Sequence, residues 1–131
     1  MSQRRKQILI ADDQPAVIGV LRFTLEAAGY GVTAVCDGEA ALQALGENRY
    51  DLVILDQQMP VMSGVELCRE MRARRDYQHT PVIMLTGKGL ELDAPELEEE
   101  LGVSLIMTKP FSPLAVVDAV REHFVHSAIS P

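Results

Sequence analysis

Short apolar runs alternate along this chain with longer segments whose apolar residues recur every three or four positions. The runs are residues 7–11, 31–36, 51–55, 81–86 and 104–108, and several are apolar almost without a break, as strands covered on both faces must be. Between the first two, Val17, Val20, Leu21, Thr24, Leu25 and Ala28 keep helical spacing, and Gly29 supplies a left-handed stop. A second helix is predicted over 39–45 with Gly46 behind it. A third covers 64–74, with Val65, Leu67, Cys68 and Met71 as its apolar members. Leu97 and Leu101 mark the inner stripe of a fourth helix that Gly102 ends, and Pro95, tolerated only in a first turn, limits where that helix begins. Residues 87–93 are then expected to form a long mobile connection. Ser112 followed by Pro113 opens a fifth helix that runs to about Val125.

Five strand–helix units in succession predict an α/β fold. Because the connections must be right-handed, the natural product is a doubly wound five-stranded parallel sheet of order 2-1-3-4-5, flavodoxin-like in its winding. With 131 residues the chain has room for one domain. That domain is expected over 7–126, between tails at 1–6 and 127–131. Ligands of such sheets bind at the carboxyl ends of the strands, which is where the chemistry is to be sought.

Composition narrows the function. Apolar residues make up 47% of the chain and charged residues 24%, the mix of a soluble globular domain. A net charge of −7 argues against direct nucleic-acid binding, which needs clustered Lys and Arg. The one positive cluster, Arg4, Arg5 and Lys6, reads as a solvated tail. The apolar stretch 8–11 runs straight into two aspartates and is too short for an export signal, and no membrane segment is visible, so a cytoplasmic location is expected. Cys36 and Cys68 have no partner at metal-ligand spacing and are expected to be buried thiols in a reducing compartment. His79, His123 and His126 lie far from the acidic positions and read as surface residues.

The strand ends carry Asp12 and Asp13, then Asp56, Thr86 and Lys109. In the order 2-1-3-4-5 the first, third, fourth and fifth strands are neighbours, so these residues meet. Singly each has an ordinary reading: Asp13 capping a helix, Asp56 opening a turn, Thr86 satisfying a strand-end amide, Lys109 lying along the surface. Together they do not. Three crowded carboxylates need a compensating cation, and a hard divalent ion such as Mg²⁺, held by a few protein oxygens and waters, supplies it. With Mg²⁺ and Lys109 the charges of Asp12, Asp13 and Asp56 sum to zero, and the site is primed to receive a phosphoryl group.

Along nearly its whole length the chain resembles a response-regulator receiver, the phosphoacceptor of two-component phosphorelays. The resemblance rests on Asp12-Asp13, on Leu55-Asp56-Gln57-Gln58-Met59-Pro60-Val61-Met62-Ser63-Gly64, on Leu85-Thr86-Gly87 and on Lys109-Pro110-Phe111. It implies that Asp56 attacks a phosphohistidine of a sensor histidine kinase or phosphotransfer protein. It also implies that Asp12, Asp13, Asp56 and the backbone carbonyl of Gln58 hold Mg²⁺ or Mn²⁺. Lys109 and the Thr86 hydroxyl would bind phosphoryl oxygens, and Gly87 would leave space for them. The Lys109–Pro110 bond would be cis. The Gln58 side chain would tune how long the acyl phosphate survives. A domain of this kind is a signalling switch, not an enzyme in its own right. It assists its own phosphorylation and dephosphorylation, reports to an output protein or domain, and can pair with a second copy once phosphorylated. The switch surface is expected at the connection after the fourth strand and on the face formed by the fourth helix, fifth strand and fifth helix. One position departs from the family: where receivers carry Tyr or Phe three residues before the lysine, this chain has Ile106, which has no ring to swing inward.

Rival readings are weaker. A haloacid-dehalogenase-like phosphatase expects a second Asp where Gln58 stands, and there is no length for a cap domain. A flavin module would be repelled by Asp12 and Asp13. Gly87-Lys88-Gly89 is too short for a nucleotide phosphate loop. The acidic run Glu91, Asp93, Glu96, Glu98, Glu99 and Glu100 reads either as a solvated face or as a docking surface for a basic partner. A stand-alone regulator and a receiver cut from a longer one remain equally compatible with the sequence.

Overall fold

The computed structural model describes residues 4–87 and 95–129. Five strands, β1 (Gln7–Ala11), β2 (Gly31–Val35), β3 (Leu52–Asp56), β4 (Val82–Thr86) and β5 (Val103–Thr108), form one parallel sheet of order β2-β1-β3-β4-β5. Helices α1 (Pro15–Ala27), α2 (Gly38–Glu47), α3 (Gly64–Arg72) and α4 (Pro113–Ile129) cover it, with a 3₁₀ turn at Arg75–Tyr77 and a π-type turn at Glu96–Glu100. The expected fold and strand order are those observed.

Alternation along each strand builds two cores. Leu9, Ala11, Val53, Leu55, Val82 and Met84 face α2 and α3, while Ile8, Ile10, Leu52, Ile54, Ile83 and Leu85 face α1 and α4. β3 and β4 are buried at every position, so their apolar runs must be continuous. The register aligns Ala11 with Leu55, Asp56 with Leu85 and Thr86 with Thr108. As a result the residues that end β1, β3, β4 and β5 lie along one edge.

Local signals set most boundaries. Gly29 follows α1 at φ +101°, and Gly102 follows the π-type turn at φ +65°; only glycine adopts such angles without strain. Ser63 and Glu66 close α3 with a reciprocal capping box, and the Ala115 amide donates to Ser112 Oγ at the start of α4.

Several expectations need correction. Gly46 does not end the second helix: its φ is not left-handed, and α2 continues to Glu47 before Asn48 turns extended. The third helix stops at Arg72, since Arg74 is extended. Among the described residues the fourth helix is a π-type turn at Glu96–Glu100, closed by the Leu101 amide donating to the Glu96 carbonyl at 3.3 Å, with Leu97 and Leu101 buried as its inner stripe. The last helix runs past Val125 to Ile129, because no Gly or Pro interrupts it. Cys68 is buried but Cys36 is exposed, since β2 ends at Val35 and Cys36 leaves the sheet ahead of the Asp37 cap. The expected mobile connection, with Glu91 and Asp93, lies outside the described residues except for Gly87.

Candidate phosphoacceptor site

The chain leaves β1 at Asp12, which is fully buried, and Asp13 beside it is exposed. One carboxylate oxygen from each of Asp12, Asp13 and Asp56 falls within 4.8 Å of the others. Lys109 reaches in from the end of β5: its Nζ stands 2.9 Å from Asp12 Oδ2 and 3.5 Å from Asp56 Oδ1. Sequence reasoning brought these four together, and the sheet does the same. Thr86, at the end of β4, points a buried Oγ1 without a hydrogen-bond partner among the described residues, and Asp12 Oδ2 likewise accepts no hydrogen bond of good geometry. A buried hydroxyl left unmatched at a strand end is costly unless a ligand completes it.

The loop after β3 is built to hold Asp56 in place. Asp56 Oδ1 accepts from the Gln58 amide at 3.2 Å. The Gln57 carbonyl accepts from the Gly64 amide at 3.2 Å, and Gln57 Oε1 accepts from the Val65 amide at 2.8 Å. Between these ties Pro60, Val61 and Met62 make a γ-turn, with the Met62 amide donating to the Pro60 carbonyl at 2.8 Å and Val61 at φ +71°. A β-branched residue at that angle is strained, and its side chain is 97% exposed. Gly64 is required by contact: a Cβ there would sit 2.7 Å from the Asp56 carbonyl and 2.8 Å from Met84 Sδ. At Gly87 a Cβ would meet Gln58 Oε1 at 2.5 Å. The Gln58 amide therefore lies over the end of β4. The Lys109–Pro110 peptide is cis.

Electrostatics show what the site favours. Burial, and next the Asp12 charge, push the Asp56 carboxyl up from 3.8 to about 6, against the opposing pull of the Gln58 amide and Lys109. One lysine does not balance three carboxylates. Asp12, Asp13 and Asp56 offer hard oxygen donors, a net negative charge and room for waters on the exposed Asp13 side, which suits a small divalent cation. Ile106, on β5, is half-buried, pairs with Met84 and packs against the core on the α3 side.

Sequence reasoning passed over Gln14, whose Oε1 accepts from Lys109 Nζ at 2.7 Å. The only signal for it was its place between the aspartate pair and Pro15. It also passed over the Gln57 side chain.

The model for the response regulator receiver domain matches residues 8–121. The chain belongs to this family. The general function of receivers in two-component systems is acceptance of a phosphoryl group on an aspartate with Mg²⁺, and this chain is a receiver of that family. The receiver is 38% identical over 125 residues to the alkaline phosphatase synthesis transcriptional regulatory protein PhoP of Bacillus subtilis, covering 95% of this chain and 51% of that protein. It is 37% identical over 121 residues to the DNA-binding response regulator MtrA of Mycolicibacterium smegmatis, covering 92% of this chain and 51% of that one. The receiver thus spans about half the length of these curated relatives. Among solved structures it superposes on the chemotaxis protein CheY4 of Vibrio cholerae with a TM-score of 0.83 at 28% identity, over 91% of this chain and 98% of that one. The receiver domain of the sensor histidine kinase PA1611 of Pseudomonas aeruginosa, solved with a magnesium ion coordinated in its active-site cleft, gives a TM-score of 0.77 at 29% identity, over 91% and 97% of the two chains. No helix among the described residues is long and apolar enough to cross a membrane.

Proposed function

We propose that Asp56 is the phosphoacceptor and that Asp12, Asp13, Asp56 and the Gln58 backbone carbonyl hold Mg²⁺, with Mn²⁺ as a substitute. The observation that carries this reading is the buried Asp56 carboxylate, raised to about 6 by burial and the neighbouring Asp12 charge, with the Lys109 ammonium 3.5 Å from it and 2.9 Å from Asp12. A divalent cation held by these residues would offset the crowded negative charge and screen the incoming phosphoryl oxygens. An oxygen of Asp56 attacks phosphorus, the P–N bond of the donor phosphohistidine breaks, and its electron pair goes to the imidazole nitrogen, which takes a proton from solvent. Lys109 pairs with one phosphoryl oxygen and the Thr86 Oγ1 hydroxyl donates to another, so that charge is met by fixed groups as it moves. Water later attacks the acyl phosphate. The Gln58 amide, lying against Gly87, is placed to tune that step.

The donor is a sensor histidine kinase or phosphotransfer protein, and the phosphorylated domain acts on an output protein or domain, in cis or in trans. A donor needs purchase beside the cleft, and an apolar hollow lined by Val17, Val20, Pro110, Phe111 and Pro113 adjoins Lys109 there. The free thiols of Cys36 and Cys68 accord with a cytoplasmic location. Direct nucleic-acid contact is not part of this reading, and association of two copies would follow phosphorylation.

Acetyl phosphate with Mg²⁺ should add one phosphoryl group, read by intact mass, and chelation should prevent it. Asp56→Asn should abolish the uptake. Uptake at the native rate by Asp56→Asn would overturn the assignment.

A further inference from the structure

Helix α1 begins at Pro15, and a proline there holds the preceding residue in extended backbone. Gln14 is that residue, at φ −100° and ψ 110°, and its side chain makes no bond to the helix it precedes. Its other groups are committed. Its carbonyl accepts from the amides of Val17 and Ile18, both at 3.1 Å. Its own amide donates to Asp12 Oδ1 at 2.8 Å, and its Oε1 accepts from Lys109 Nζ at 2.7 Å. One residue thus holds both members of the Asp12–Lys109 ion pair.

We propose that Gln14 is a positioning residue for phosphoryl transfer, acting through Lys109; this rests on the roles given above to Asp56 and Lys109. An ammonium has three hydrogens to donate. Gln14 Oε1 accepts one of them at 2.7 Å and Asp12 Oδ2 draws Nζ by charge at 2.9 Å, while Asp56 Oδ1 stands off at 3.5 Å. The loose side is the one that faces the acceptor, so a phosphoryl oxygen arriving on Asp56 meets an ammonium already in place. A cation drawn to Asp12 shares that carboxylate's charge and weakens its hold on Lys109. Gln14, which no cation competes for, keeps its hold. A neutral amide suits this role because it accepts the hydrogen bond without cancelling the charge that the phosphoryl group must feel. Fixing a long lysine side chain costs rotamer freedom, and a residue that fixes it before the donor binds removes that cost from the transition state.

The test compares the full chain with Gln14→Met, similar in size but without the acceptor, and Gln14→Glu, which restores one. The first readout is the ¹H–¹⁵N signal of the Lys109 ammonium in protein without metal or phosphoryl donor. It should be resolved and slow to exchange in the native chain and in Gln14→Glu, and lost to fast exchange in Gln14→Met. The second is phosphorylation by acetyl phosphate at saturating Mg²⁺, where Gln14→Met should lower the maximal rate roughly ten-fold, the factor that about 1.4 kcal/mol represents. Its Mg²⁺ affinity should stay within about two-fold, because each carboxylate remains. A native Lys109 signal together with a native rate in Gln14→Met overturns the proposal. So does a native Lys109 ammonium that exchanges as fast as exposed lysines. If the native chain takes no phosphoryl group on Asp56, the preceding assignment fails, and the Lys109 signal still decides whether Gln14 holds the ammonium.

Discussion

Burying Asp56 beside Asp12 costs the folded chain free energy that Lys109 and the Gln58 amide return only in part, and its carboxyl rises to about 6 for that reason. Raised in the folded state, the group binds its proton more tightly there than in the unfolded chain. Between its unperturbed value of 3.8 and about 6 the native state therefore carries the extra proton, and stability falls as pH rises through this window. Above it the full cost persists. Asp56→Asn should accordingly stabilise the metal-free protein at neutral pH, by roughly 3 kcal/mol at most, with the gain shrinking towards zero as pH falls to about 4. Urea unfolding of both proteins in a chelating buffer at pH 4, 5.5 and 7.5 measures it; a gain that grows on acidification would show that Asp56 is stabilised as the anion instead. Two glycines, Gly64 after β3 and Gly87 after β4, separate backbone crowding from side-chain crowding. At Gly64 a methyl group would strike the Asp56 carbonyl, which is fixed in β3, whereas at Gly87 it would strike only the tip of Gln58. Gly64→Ala should cost about 1–3 kcal/mol and slow phosphorylation as well. Gly87→Ala should cost about 1 kcal/mol or less, with Gln58 displaced. Paired unfolding and acetyl phosphate assays distinguish them, and equal losses at the two positions would contradict this account.

Among the elements, the Glu96–Glu100 turn shows where sequence signals stop. Its Leu97 and Leu101 carry the right spacing, and Gly102 ends it, yet helical spacing alone does not say what the segment packs against. What fixes it comes from α3. Arg72 donates from Nε to the Leu101 carbonyl at 2.6 Å, from Nη2 to the Gly102 carbonyl at 3.2 Å and from Nη1 to the Tyr77 carbonyl at 2.7 Å. Arg69 pairs with Glu96 one turn earlier. A pattern search along the chain sees an arginine near a helix end and reads surface; only the packing shows a fork joining three segments. The end of α1 was legible because its signal is local, Gly29 just past it, whereas the equally local Ser63–Glu66 capping box that opens α3 was not read. The end of α2 was not legible, since Gly46 meets no demand for positive φ. Arg72→Lys, which keeps the charge but cannot span three carbonyls, should destabilise the domain by about 1–3 kcal/mol. It should raise amide exchange first in Leu101 and Gly102. Uniform loss of protection across the sheet, with no lead at those amides, would mean that the fork has no local role.

At the scale of the molecule, the cleft was readable because one topological rule converts five separate strand ends into a single edge. The residues that tune it were less so: Gln14 and the overlay of Gln58 on Gly87 depend on side-chain directions that spacing does not encode. The same holds for how the site speaks to the rest of the fold. Thr86 and Lys109 end the adjacent strands β4 and β5, and the Lys109 amide donates to the Thr86 carbonyl at 2.7 Å, so a shift of Thr86 towards a phosphoryl group is felt first at this junction. From there a signal can run along β5 to α4 or back across the α3 side. Ile106 pairs with Met84 and packs on the α3 side, while its neighbour Met107 packs towards α1 and α4. A β-branched aliphatic chain has few χ1 choices, and with no ring on β5 to swing inward the route towards α4 lacks its moving part. Beryllofluoride with Mg²⁺, an analogue of the phosphorylated state, should therefore shift backbone amides most at Asp12, Asp13, Asp56 to Gly64, Thr86, Gly87 and the Pro95 to Gly102 segment. Amides of Ile106 and of α4 should move far less. Comparison of ¹H–¹⁵N spectra with and without the analogue decides this. Shifts in Ile106 and α4 as large as those in the Pro95 to Gly102 segment would show that β5 transmits the signal without an aromatic side chain.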